Sequence, residues 1–64
     1  MSGYRREVLR LLEESGYRRL PYRGKGSHEV WTNGKRNQTV PRHIDDRNFA
    51  NDLMRQAGIN HRFT

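Results

Sequence analysis

The sequence predicts a small α+β domain with the element order helix, three antiparallel strands, helix. Apolar residues recur at helical spacing near both ends of the chain,. Between them lie short segments with β character, broken by turn residues, of which Asn33-Gly34 is the strongest signal,. A chain of 64 residues has the size of one domain, residues 1–64,. The simplest packing places both helices on one face of a three-stranded sheet.

The first helix is predicted over residues 3–15. Ser2 can cap its start, and Gly16 can end it,. One helical face carries the apolar residues Tyr4, Val8, Leu11 and Leu12,. This segment is therefore expected to pack against the sheet through that face.

Two strands are predicted next, over residues 17–23 and 27–32. Pro21 lacks an N–H donor, so the first strand must lie at a sheet edge or contain a bulge,. In the second strand, side-chain alternation places His28 and Val30 on one face and Trp31 on the other,. Because Val30 and Trp31 both favour burial, the alternation leaves the facing of His28 open.

A hairpin and a second helix complete the domain. Asn33-Gly34 predicts a type I′ turn, because both residue types tolerate the positive φ that its central positions need,. The third strand is predicted over 36–40 and is halted by Pro41,. The second helix ends at Gly58, and residues 60–64 are predicted to form a flexible tail,. The candidate caps of the second helix are Asp45, Asp46 and Asn48. Its apolar side carries Phe49, Ala50, Leu53, Met54 and Ala57,.

Charge and composition favour a nucleic-acid partner. The chain has 13 basic and 7 acidic residues and a formal net charge of +6, and arginine supplies 11 of the basic residues. Arginine binds phosphate bidentately and stacks on bases, so the excess favours a polyanion. There is no cysteine, which fits a reducing, cytoplasmic location,. No apolar run approaches a membrane span, so a membrane partner is not expected,.

The motif with the most chemistry is Gly24-Lys25-Gly26-Ser27-His28. Glycine amides can approach an anion closely, lysine adds a compact charge, and histidine can transfer a proton near neutral pH,. Taken alone, such a segment is most often a flexible turn, and it lacks the spacing of a P-loop. Its meaning therefore depends on its surroundings.

Those surroundings resemble a known family. A helix ending at Gly16-Tyr17 precedes the Gly-Ser-His motif; a hairpin, then Val40-Pro41-Arg42-His43, and a closing helix ending in Gln56-Ala57-Gly58-Ile59 follow it. This order is similar to that of the HicA toxins of bacterial toxin–antitoxin systems. The resemblance implies a double-stranded-RNA-binding-domain-like fold, metal-independent cleavage of mRNA, and inhibition by a HicB-like antitoxin. It also implies that His28 is catalytic.

The predicted site centres on His28, acting as a general acid or base on an RNA phosphodiester. Lys25, Ser27 and His43 are the candidates for catalytic support. No cofactor is expected, and no metal is expected, because the spacing of His28, Glu29 and His43 is not typical of zinc ligands,. The candidate RNA-binding residues, chosen as flanking the strand ends nearest His28, are Arg23, Lys25, Gly26, Lys35, Arg36 and Arg42.

Two alternatives stay open. The chain can be a non-catalytic RNA-binding module of the same fold, in which His28 is structural. His43 can cap the second helix or bond a backbone carbonyl rather than join catalysis, and this interpretation is favoured over a catalytic one. Glu29 can alter the reactivity of His28 in either direction, depending on which face it occupies.

Overall fold

The computed structural model describes residues 3–21 and 28–64. The elements follow the predicted order of helix, three strands and helix. Antiparallel pairing gives one sheet with the strand order β1-β2-β3. The bounds are α1 Arg5–Glu14, β1 Arg18–Arg19, β2 His28–Thr32, β3 Asn37–Pro41 and α2 Arg47–Gln56. The α+β fold class is confirmed, and the arrangement is compatible with a double-stranded-RNA-binding-domain-like fold.

Helix α1 is shorter than predicted and begins without a side-chain cap. Its N-cap residue is Tyr4, whose backbone N–H donates to the carbonyl oxygen of Ile44 at 2.7 Å. Ser2, the predicted cap, lies outside the described residues. Gly16 follows the helix with φ +91°, a conformation that glycine adopts without the steric penalty of a Cβ,. The start of α1 is therefore held by the segment that follows β3.

Helix α2 has the cap that its sequence suggests. Asp46 is the N-cap, and its Oδ2 accepts a hydrogen bond from the Phe49 N–H at 3.2 Å. Since Asp46 performs this role, His43 is not the cap of α2. Its buried side consists of Ala50, Leu53 and Met54.

Strand β1 lies at a sheet edge, one of the two predicted alternatives, and two of its described residues pair with β2. Arg18 lies opposite Thr32, and Arg19 lies opposite Trp31. The Leu20 N–H donates a further hydrogen bond to the Val30 carbonyl oxygen. The next residue, Pro21, has no backbone N–H to donate. The prediction of a strand over 17–23 was therefore wrong in its extent within the described part.

The hairpin turn differs in type from the prediction. The Asn33 N–H donates to the Arg36 carbonyl oxygen, so the central residues are Gly34 and Lys35. Gly34 has φ +94°, and no described residue other than glycine has a positive φ. Positive φ at the first central position alone is typical of a type II′ turn, so the type I′ prediction was wrong. Asn33 contributes through its side chain, whose Oδ1 accepts from the N–H groups of Lys35 and Arg36.

One core joins both helices to one face of the sheet. Trp31 of β2 and Val40 of β3 are buried, whereas His28 and Thr39 on the opposite face are exposed. The Tyr17 ring is buried too, and its hydroxyl donates to the Ala57 carbonyl oxygen at 2.8 Å. The buried apolar cluster comprises Val8, Leu12, Tyr17, Trp31, Val40, Ile44, Ala50, Leu53, Met54 and Ala57.

Residues 60–64 have no helix or strand, yet they are not a free tail. The Phe63 N–H donates to Asn51 Oδ1 at 2.7 Å, and Asn51 Nδ2 donates back to the Phe63 carbonyl oxygen at 3.2 Å. The Phe63 ring packs edge-on against Tyr4, with centroids 5.2 Å apart, and against His61. Phe63 therefore ties the segment to both helices, and the flexibility of residues 60–64 stays a prediction.

Candidate active site

His28 is the first residue of β2 and lies exposed on the open face of the sheet. The strand alternation decides its facing: burial of Trp31 places Glu29 on the helix side and His28 on the other,. Opposite His28 across the ladder lies Pro41, the last residue of β3. The open end of the hairpin therefore presents the imidazole together with the segment that leaves β3.

Arg42 and His43 follow Pro41 directly and reach the same end of the hairpin. Both side chains are exposed, and together with Arg5 and Glu29 they line a cavity of about 350 Å³. The expectation that β3 returns its following residues towards the start of β2 is confirmed by this register. A catalytic role for His43 stays a prediction.

Glu29 is committed to other partners on the helix side. Its Oε2 accepts from Arg5 NH2 at 2.8 Å, its Oε1 accepts from Trp31 Nε1 at 3.1 Å, and Arg19 Nε lies 3.9 Å from Oε2. The Glu29 side chain is only 16% exposed. Its position on the helix side makes it a structural anchor that joins α1 to β2.

Lys35 and Arg36 are not brought to His28. They lie in the turn, at the opposite end of the hairpin, four residues along β2 from His28. At about 3.3 Å per residue this is roughly 13 Å of strand. The premise that they flank the strand ends nearest His28 was therefore wrong. Arg36 instead donates through NH1 to the carbonyl oxygen of Gln56 at 2.9 Å, at the C-terminus of α2.

The rest of the predicted site falls outside the described residues. Arg23, Lys25, Gly26 and Ser27 belong to that part of the chain, so their roles stay predictions. Among residues 3–21 and 28–64, no group of three or more histidine, cysteine or acidic side chains is arranged to hold a metal ion. No helix of this described part is long and apolar enough to cross a membrane.

Arg5 is the residue at this end that the sequence did not single out. Its contact with Glu29 spans 24 positions, which local spacing does not reveal. One signal was present: Arg5 lies three residues before the buried Val8, so it borders the apolar stripe of α1,. That position turns its guanidinium towards the sheet rather than to the solvent.

The fold and this site define a class, a small α+β domain with an exposed histidine at the open end of a hairpin and a basic excess around it. A comparison with family models gives the particular family. The model for the HicA toxin of bacterial toxin–antitoxin systems matches residues 5–59. The chain therefore belongs to the HicA toxin family. No curated protein and no solved structure gives a significant match.

Membership of this family indicates the general role of the chain. The family is that of toxins in bacterial toxin–antitoxin systems, which implies an antitoxin partner for this chain. The matched residues include His28, Arg42 and His43, and they end before Phe63. The C-terminal segment that Phe63 ties to the helices therefore lies outside the matched range.

Proposed function

We propose that this chain is the toxin of its pair and acts as a metal-independent endoribonuclease on mRNA, with His28 as general acid or base. The observation that carries the proposal is the exposure of His28 at the open end of the hairpin, beside a basic cavity, in a chain of the HicA family.

The chemistry follows from the substrate. Removal of the 2′-hydroxyl proton lets that oxygen attack the adjacent phosphorus, and protonation of the 5′-oxygen releases the second fragment. His28 transfers one of these protons, a contribution of about 10²–10⁴-fold. Guanidinium groups stabilise the negative charge on the oxygens of the phosphorane that this attack forms. The products are a 2′,3′-cyclic phosphate and a 5′-hydroxyl end.

A cleavage assay in chelator tests the proposal. Wild type, His28→Ala and Asn37→Ala are compared on one RNA and on the same strand with 2′-deoxy sugars. Asn37 is a matched control, because it is an exposed β3 residue at the other end of the ladder. We expect cleavage by wild type and Asn37→Ala, loss in His28→Ala, and no cleavage of the deoxy strand. Equal binding of RNA by all three proteins with no cleavage by any would make the chain an RNA-binding module instead.

The antitoxin part of the proposal has its own test. An antitoxin of the HicB kind is expected to suppress cleavage by covering the open end of the hairpin. Adding it should protect His28 from diethyl pyrocarbonate while cleavage stops. Suppression of cleavage with His28 still fully reactive would contradict direct coverage of the site.

A further inference from the structure

The cavity at the open end of the hairpin has the chemistry of an anion site. It is lined by Arg5 from α1, Glu29 from β2, and Arg42 and His43 after β3. Three of these four side chains carry N–H donors, and two are permanently positive. A cavity of about 350 Å³ has room for a phosphate group and part of a sugar. Its donors come from two separate parts of the chain, α1 and the segment after β3, which the fold brings together.

The one carboxylate in the cavity does not make it a cation site. Both oxygens of Glu29 already accept hydrogen bonds, from Arg5 and from Trp31. Arg19 adds a second guanidinium at 3.9 Å. With Arg5 and Arg19 beside Glu29, the charge of Arg42 is left in excess on the cavity wall. The cavity therefore favours an anion.

Arg5 also offers an unused donor. Its Nε is buried and has no hydrogen-bond partner among the described residues, although its NH2 is held by Glu29. A buried N–H without an acceptor is unfavourable, and the Arg5 guanidinium that carries it lines the cavity,. Glu29 fixes the guanidinium so that little side-chain freedom remains to be lost on binding.

We propose that this cavity binds a backbone phosphate of the RNA next to the one cleaved at His28, with Arg5 and Arg42 as the binding residues. The proposal rests on the function proposed above. His28 lies opposite Pro41, and Arg42 and His43 follow Pro41, so cavity and imidazole share one end of the ladder. They lie on its two sides, helix side and open side, so a strand that passes this end meets both. Glu29 is then a positioning residue, which acts through Arg5.

The test uses the full chain with His28→Ala, so that RNA stays intact. Binding of a short single-stranded RNA is measured against salt concentration, with Arg5→Ala, Arg42→Ala and the control Arg10→Ala added in turn. Arg10 is a matched control, because it carries the same charge on α1 and pairs with Glu7 and Glu14 away from the cavity. The Nε–H resonance of Arg5 is followed by NMR during the same titration.

We expect Arg42→Ala and Arg5→Ala each to lower affinity about tenfold and to reduce the salt slope by about 0.7, the value for one phosphate contact on a single strand. Arg10→Ala should leave the slope unchanged, and RNA should shift the Arg5 Nε–H resonance. Because Arg42 is exposed, its variant remains informative even if Arg5→Ala unfolds.

Three results would overturn the cavity assignment. In the first, Arg42→Ala and Arg10→Ala have the same RNA affinity and salt slope, and RNA does not shift the Arg5 Nε–H resonance. In the second, the protein does not bind RNA. The third is a shift of that resonance with the antitoxin alone and not with RNA, which would make the cavity a protein contact. Cleavage that depends on His28 but not on Arg42 would remove the cavity and keep the nuclease. RNA binding that depends on Arg42, without cleavage by wild type, would keep the cavity assignment and remove the nuclease.

Discussion

At the turn end of the β2–β3 hairpin, Arg36 donates to the Gln56 carbonyl oxygen, the last of α2, whereas at the open end, where His28 begins β2, Arg5 and Arg42 line a cavity. The turn end thus uses its guanidinium to satisfy the fold's own backbone. At the open end, the Arg5 guanidinium is hydrogen-bonded to Glu29, whereas the Arg42 side chain is exposed. A net charge of +6 therefore does not by itself locate a binding surface, because the acceptor of each arginine decides where its guanidinium lies.

The largest expected effect on stability is at Glu29. Glu29→Ala removes the acceptor of the half-buried Arg5 and of the buried Trp31, and leaving these donors unpaired costs about 1–3 kcal/mol in the free energy of unfolding,. Urea denaturation measures it. Glu29→Gln keeps an oxygen for one donor and is expected to lose less. Equal stability of Glu29→Ala and wild type would show that the open end needs no internal anchor.

The turn end should respond more weakly. Arg36→Ala removes one hydrogen bond to the Gln56 carbonyl oxygen, worth about 1 kcal/mol of stability, and is expected to leave RNA cleavage unchanged,. Lys35→Ala, one residue earlier in the same exposed turn, is the control and should fall within about 0.5 kcal/mol of wild type,. A loss of cleavage in Arg36→Ala at full stability would move the active end of the hairpin to the turn.

The smallest effect lies on α1, away from both ends. The hydrogen bond from Arg10 holds the pKa of Glu7 below its usual value, so this pair adds stability above that value and loses it as the pH falls through the lowered pKa,. Glu7→Gln should therefore flatten the acid side of the stability curve slightly, below about pH 4. Thermal unfolding between pH 7 and pH 3 measures this. A steeper acid loss in Glu7→Gln than in wild type would reverse the sign.

The sequence predicts the order of the elements because periodicity and turn residues are local signals. Asp46 and Gly16 act where such signals place them, at the ends of helices. Strand β1 was overestimated, because how many residues pair depends on the neighbouring strand, which the β1 segment does not encode. The predicted turn was displaced by one residue for the same reason. The register of β2 and β3 decides which two residues are central, and these are Gly34 and Lys35 rather than Asn33 and Gly34.

The candidate site was predictable in part. His28 and Arg42 follow from motifs, and their meeting follows from an antiparallel hairpin. The contact of Arg5 with Glu29 was not predictable from spacing, since it joins α1 to β2. Lys35 and Arg36 were misplaced, because charge alone gives no position along a strand. Phe63 looked like part of a tail until Asn51 supplied its backbone partners.

The central claim is that the open end of the hairpin, and not the turn, acts on RNA. Arg42→Ala and Lys35→Ala test it most directly, because each removes one exposed positive charge from one end of the same ladder. About 13 Å of strand separates the ends, more than the screening length of about 8 Å at physiological ionic strength. With kcat/KM for RNA cleavage measured at that ionic strength, we expect a loss of about tenfold or more for Arg42→Ala and less than about twofold for Lys35→Ala. Equal losses, or a larger loss for Lys35→Ala, would contradict it.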